Sequence, residues 1–183
     1  MENEVLKAIQ NRRSTRKYKE EQITEEELQA ILEAGIQAPT AINAQPWHFT
    51  VIQNKEMINY ISDKSKEVML ASGNERLVNI GKSSTNIFYN PPTVIIVSTK
   101  EDVASGPVDC SAAIENMLIA AESMGLGSVW IGLAGFFFSL EEEVKKLNLP
   151  DGSKPFYAVS FGYKETNTVG PSKRNKDVVN YIR

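Results

Sequence analysis

Residues 93–98, Thr93-Val94-Ile95-Ile96-Val97-Ser98, leave little freedom in how this chain folds. A β-branched apolar run of this length, fenced upstream by Pro91-Pro92, predicts a strand buried in the interior. Downstream, Ile114, Met117, Leu118 and Ala121 recur at helical spacing and predict a long helix over residues 108–124, ended by Gly125 and Gly127. Further strands are predicted at 49–53, 128–132 and 156–162, and polar helices across 55–82. A first short helix carries Val5, Leu6 and Ile9. A capping box, Thr24 with Glu27, opens a second one with Leu28, Ile31, Leu32 and Ile36 on its apolar face, stopped by Pro39. Ser139 with Glu142 predicts the same device before Leu140, Val144 and Leu147. Helices outnumber strands and interleave with them, which gives α+β or an α/β sandwich at the level of pattern.

With 183 residues the chain is the size of one domain, 1–183, around one core. Hydrophobic residues at 42% and charged residues at 23% exclude a disordered chain. A net charge of −3 gives no global reason to expect nucleic acid or an anionic membrane as a partner. The charge is uneven, however. Arg12, Arg13, Arg16, Lys17 and Lys19 cluster near one end, and Lys173, Arg174, Lys176 and Arg183 near the other, which points to local anion sites. Cys110 stands alone, so neither an internal disulfide nor a CxxC pair is available, and a reducing, cytoplasmic setting is expected. The acidic Met1-Glu2-Asn3-Glu4 has no signal-peptide character, and no apolar run approaches a membrane span.

Three segments carry chemistry. Arg12-Arg13-Ser14-Thr15-Arg16 places two guanidinium forks and a hydroxyl within reach of one small anion, as phosphate recognition requires. The same run also reads as a solvated basic face, or as a nucleic-acid patch with Tyr18 stacking. The loop Ala38-Pro39-Thr40-Ala41-Ile42-Asn43-Ala44-Gln45-Pro46 combines fixed geometry with exposed amides, which suits the edge of a flat heterocycle. Trp47 and His48 after it read as structural. Gly125-Leu126-Gly127 follows a helix and precedes a strand, the wrong order for a dinucleotide fingerprint. Gly132 and Gly135 instead permit close backbone approach to a ligand or neighbouring segment. Phe136-Phe137-Phe138 belongs either to an interface, a pocket cover or the core. Asp109 and Glu115 read as an acid pair on a solvated helix face. There is no phosphate loop, no nucleophile elbow, no HExxH, and one histidine and one cysteine make no triad. A cofactor carrying the chemistry is the economical explanation.

In order and over most of the chain, these segments resemble the nitroreductase family. The resemblance rests on Arg12-Arg13-Ser14-Thr15-Arg16-Lys17-Tyr18, on Ala38-Pro39-Thr40 with Asn43 to Phe49, on Asp109 to Met117, and on Gly125 to Gly132. It implies an α+β sandwich with a central, mostly antiparallel sheet flanked by helices, assembled as an intertwined homodimer whose interface holds FMN. It implies that Arg12, Ser14 and Arg16, with the backbone of Arg13, bind the FMN phosphate, and that Lys173 and Arg174 complete that site. Pro39, Thr40 and Ala41 from the other subunit would line the flavin, with Asn43 and Gln45 close by. Asn74 corresponds to a flavin-contacting asparagine, and Ile131, Gly132 and Leu133 would offer backbone to the ring. The helix over 108–124 would be the central dimer helix. The implied activity is hydride transfer from NADH or NADPH through flavin N5 to a nitroaromatic or quinone-like small-molecule acceptor by a ping-pong mechanism. It needs no catalytic side chain and no metal. A flavin- or nucleotide-binding regulatory module without turnover is the alternative. Two departures matter: Leu77 stands where many larger members have a lysine, and the stretch 98–108 is short where they insert helices.

Overall fold

The computed structural model describes residues 3–83, 85–166 and 174–183. Helix α1 (Glu4–Asn11) starts where the Asn3 side chain accepts from the Leu6 amide at 2.9 Å. Helix α2 (Glu25–Ile36) starts at the expected capping box: Thr24 Oγ1 accepts from Glu27 N at 3.2 Å, and Thr24 N donates to Glu27 Oε2 at 2.8 Å. Strand β1 (Trp47–Ile52) leads into α3 (Lys55–Ala71) and α4 (Glu75–Lys82), whose first turns are capped by Asn54 and Asn74. Strand β2 (Thr93–Lys100), helix α5 (Gly106–Ser123), strand β3 (Leu126–Ile131), the one-turn helices α6 (Gly135–Phe138) and α7 (Glu141–Val144), and strand β4 (Ser153–Tyr163) follow.

Among the described residues the strands form one sheet in the order β1-β2-β4-β3, with every pair antiparallel. The expected buried run is its centre: residues 93–99 of β2 are all buried. Side chains alternate across a strand, so β2 feeds two cores. Val94 and Ile96 pack with Ile58 and Ile61 of α3, Phe88 and Phe137. Ile95 and Val97 pack on the other face with Leu28 and Ile31 of α2 and Ile114, Met117 and Leu118 of α5. Helices therefore cover both faces, and the α+β sandwich with an antiparallel sheet is the observed architecture. Among the described residues no helix is long and apolar enough to cross a membrane.

Three local expectations are corrected. The Ser139–Glu142 capping box does not form. Leu140 opens α7 without a side-chain cap, and the expected helix breaks into α7 and a 3-10 turn at Lys145–Leu147, while Ser139 Oγ donates to the Phe136 carbonyl at 2.7 Å and closes the separate turn α6 ahead of it. Phe137, fully buried, is what anchors that turn to the core; Phe136 and Phe138 pack beside it. Gly125, with φ +78°, is the helix stop, whereas Gly127 lies inside β3 for a different reason. A Cβ at Gly127 would sit 2.6 Å from Thr15 Cγ2. Thr15 is buried there, and its amide donates to the Ser128 carbonyl at 2.9 Å. Gly127→Val is therefore expected to cost about 1–3 kcal/mol of stability by overpacking, read as a lower urea midpoint. An unchanged midpoint would mean that Thr15 is not held against this strand.

Candidate functional site

The basic segment leaves α1 at Arg12, whose backbone (φ −51°, ψ 126°) is no longer helical. From Ser14 to Tyr18 the chain runs beside the sheet, bridged at Ser14–Ser128 and at Tyr18–Lys164. Burial of Thr15 against β3 leaves Ser14 and Arg16, its neighbours on either side, exposed. Arg12 Nε lies 3.7 Å from Glu115 Oε1 on α5, and its side chain is largely buried. Arg13 turns back onto its own turn, donating to the Gln10 and Arg12 carbonyls at 2.7 and 2.8 Å. Arg16 reaches the Ser14 carbonyl at 3.5 Å and stacks 5.7 Å from the centroid of the Tyr89 ring. Burial raises the Tyr18 phenol pKa strongly against the lowering effect of Arg16, so that hydroxyl stays a donor, to the Thr15 carbonyl at 2.9 Å. Two guanidinium groups and a hydroxyl on one short segment are the donor set of a phosphate monoester, and these residues fit one.

The loop after α2 is built differently from a simple turn. Ile42, Asn43 and Gln45 all have positive φ, at 49°, 58° and 43°. For a β-branched residue this is costly, of order 1–3 kcal/mol, and the surrounding structure must impose it. Asp109, buried in the first turn of α5, does so. Its Oδ2 accepts from Thr40 Oγ1 at 2.8 Å, Ala41 N at 3.3 Å and Ser105 Oγ at 3.1 Å. Thr40 Oγ1 in turn accepts from Gln45 N at 3.0 Å, and Gln45 Nε2 donates to Asn43 Oδ1 at 3.1 Å. The strained turn lifts Ile42 almost wholly into solvent, 99% exposed. Pro39 is exposed as well. Asp109 and Glu115 are thus not an idle acid pair: one fixes the loop, and the other holds Arg12.

The loop sits at the start of α5, while Arg12 pairs with Glu115, six residues along the same helix. At 1.5 Å per residue that is about 9 Å of helix between the two anchor points. Within one chain, α5 therefore carries both segments at separate stations.

A cavity of about 740 Å³ lies between α4, Ser83, Thr85, Asn86, Ile87, Tyr89 and Leu133. Ile80, Ile87 and Leu133 give it apolar walls, Arg76 and Asn79 of α4 give it polar ones, and Tyr89 connects it to Arg16. Asn74 is exposed, and its Oδ1 accepts from Leu77 N at 3.2 Å as the cap of α4. Leu77 packs into the core, so it is an anchor of α4 and not a substitute for a polar contact. Ile131 is buried, and Gly132 after it is exposed. A Cβ at Gly132 would meet only Tyr157 at 3.8 Å, and at Gly135 nothing within 4 Å, so no close approach within this chain requires glycine at either position. Lys173 lies outside the described residues. Arg174 is exposed and, among the described residues, makes no hydrogen bond or ion pair. Cys110 is buried against Ser98, and its thiol is pushed up to about 11, mainly by burial, which leaves it protonated and unreactive at neutral pH.

Reading by segments took Asp109 and Glu115 for a solvated acid pair and missed Tyr89, which faces Arg16. An aspartate in the first turn of a helix was the one available signal, and its partner, Thr40, is 69 residues away.

Known proteins share this fold. Residues 9–163 match the profile of the nitroreductase family. A nitroreductase from Bacteroides fragilis, solved with bound FMN, superimposes with a TM-score of 0.91 at 33% identity over the whole of both chains. A nitroreductase from Desulfitobacterium hafniense, also with bound FMN, gives 0.89 at 32% identity over the same extent. An FMN reductase [NAD(P)H] of Bacillus subtilis is 28% identical over 188 residues, covering 98% of this chain and 73% of its own. A matched profile that spans the basic segment, the Asp109-pinned loop and every strand of the sheet places the chain in the nitroreductase family.

Proposed function

We propose that residues 1–183 form one FMN-binding domain that oxidises NADH or NADPH and reduces a nitroaromatic or quinone-like small molecule by a ping-pong mechanism. The observation that carries this reading is the outward display of Ser14 and Arg16 by the burial of Thr15, with Arg12 next to them on the chain. FMN held by these residues would supply the redox chemistry that links nicotinamide oxidation to reduction of the acceptor. Arg12, Ser14 and Arg16 hold its phosphate, assisted by the amide backbone of Arg13 and by Lys173 and Arg174. Exposed Gly132, with Ile131 and Leu133, offers main-chain groups to the ring, and Asn74 stands at the start of α4 beside it. Pro39, Thr40, Ala41, Asn43 and Gln45 act on the flavin of a second copy, because α5 holds this loop apart from the phosphate segment of its own chain. Apolar side chains exposed on α1 (Val5, Ile9), on the loop (Ile42), at the start of α5 (Val108) and in the terminal segment (Val179, Ile182) fit burial in a homodimer. A lone, buried, protonated cysteine suits the reducing cytoplasm.

Purification with added FMN tests the reading. The expected protein is yellow, dimeric, bleached by NADH or NADPH, and recoloured by a nitroaromatic. A protein that takes up no FMN overturns it, and one that binds FMN without oxidising either nicotinamide is a non-catalytic flavin module.

A further inference from the structure

Tyr89 stands where the backbone would admit glycine more easily. Its φ is 67° and that of Asn90 is 51°, two consecutive left-handed residues, of which only the asparagine takes that region readily. Contacts far along the chain impose the turn. Phe88 is fully buried, and its carbonyl accepts from Ser160 Oγ of β4 at 3.0 Å. Asn86, itself buried, donates through Nδ2 to Asn59 Oδ1 at 2.9 Å. It accepts from Phe88 N through Oδ1 at 2.8 Å and from Tyr89 N through its carbonyl at 2.9 Å. Buried Pro91 and then Pro92 fix the chain on the other side, before β2 begins. A bulky side chain held this firmly in costly backbone points to a use for its direction.

What the ring meets is Arg16. The guanidinium carbon lies 5.7 Å from the centroid of Tyr89, within the range of a cation–π contact. Arg16 is exposed, and its one hydrogen bond among the described residues is the long one, 3.5 Å, to the Ser14 carbonyl. Arg16 also lowers, and Tyr89 raises, the pKa of the Tyr18 phenol, which places the three groups in one electrostatic neighbourhood. Among the described residues the Tyr89 hydroxyl makes no hydrogen bond, so the ring is what this residue offers Arg16. A long, exposed arginine gives up rotamer freedom when it closes on an anion, and ordering it beforehand removes part of that loss from binding. We propose that Tyr89 is a positioning residue, whose ring, aimed by the left-handed turn, pre-orders the Arg16 guanidinium for the flavin phosphate. This rests on the reading of Arg16 as a phosphate ligand and adds the residue that sets its direction.

The test titrates FMN and riboflavin, which differ by the phosphate alone, into the flavin-free protein and follows quenching of flavin fluorescence. Tyr89→Leu is expected to weaken FMN about threefold to fivefold, the range of an exposed cation–π contact, and to leave riboflavin unchanged. Tyr89→Phe keeps the ring and should bind FMN as the parent does. Arg16→Ala should weaken FMN about tenfold or more. Adding Tyr89→Leu to it should cost nothing further, because the ring then has no guanidinium to order. Glycine adopts φ 67° without strain, so Tyr89→Gly supplies the same comparison if the leucine variant does not fold. Parental FMN affinity in the variant that lacks the ring overturns the inference, while a loss in Arg16→Ala still upholds the phosphate reading. A matching loss of riboflavin also overturns it, by setting the ring against the flavin itself. So does a further loss from Tyr89→Leu in the Arg16→Ala background, or a loss in Tyr89→Phe as large as in Tyr89→Leu. Full FMN affinity in Arg16→Ala defeats the phosphate reading of Arg16, and the inference with it.

Discussion

Asp109→Ala is expected to lower stability by about 2–3 kcal/mol and to weaken FMN binding at least about tenfold. The carboxylate accepts from two hydroxyls and one amide, and alanine leaves all three donors without it. Their loss falls on a loop that is already strained, since Ile42, Asn43 and Gln45 occupy left-handed backbone. Without the anchor the loop relaxes to ordinary dihedrals, which returns part of the lost stability but abandons the shape presented to the flavin. Re-ordering even one or two backbone residues on binding costs about 1–2 kcal/mol each, the origin of the expected affinity change. Asp109→Asn keeps one acceptor oxygen for Thr40 and should fall between the two. Urea unfolding and quenching of FMN fluorescence read the two effects separately. A variant as stable as the parent, with the same FMN affinity, would show that the loop keeps its geometry by other means.

Arg12→Ala is expected to weaken FMN retention by about 1.5–3 kcal/mol, the contribution of a charge-assisted hydrogen bond. The ion pair with Glu115 sharpens this expectation. At 3.7 Å, with Glu115 half exposed, the pair is worth at most about 1 kcal/mol. Glu115 also competes with phosphate for the same guanidinium. Glu115→Gln should therefore hold FMN as tightly as the parent or somewhat more so, while Arg12→Ala releases it. If both variants lose FMN equally, Arg12 serves the position of α1 on α5 and has no phosphate role.

How far the chain could be read depended on the range of each interaction. Thr24 and Glu27 announced α2 correctly because a capping box involves residues three apart. The identical signal at Ser139 and Glu142 failed because burial of Phe137 fixes the chain into a separate turn, which consumes the Ser139 hydroxyl. The run at residues 93–98 was legible as a buried strand, since an apolar β-branched segment has few alternatives. That Val94 and Val97 face different cores, and that β4 lies between β2 and β3, depended on partners far along the chain. Within the site, Arg12, Ser14 and Arg16 were visible as residue types in a pattern. Asp109 looked like a solvated acid, Gly127 like a helix stop, and Arg76 like any surface charge.

The sequence by itself determined the strands and helices of the sandwich and the chemical character of the phosphate segment, because side-chain periodicity and donor type are local properties. Only the tertiary structure decided which acid is buried, which glycine a neighbouring segment requires, and which arginine lines a cavity. Burial and electrostatic pairing are set by groups that meet across 70 or 100 residues of chain, and no window of sequence contains both partners.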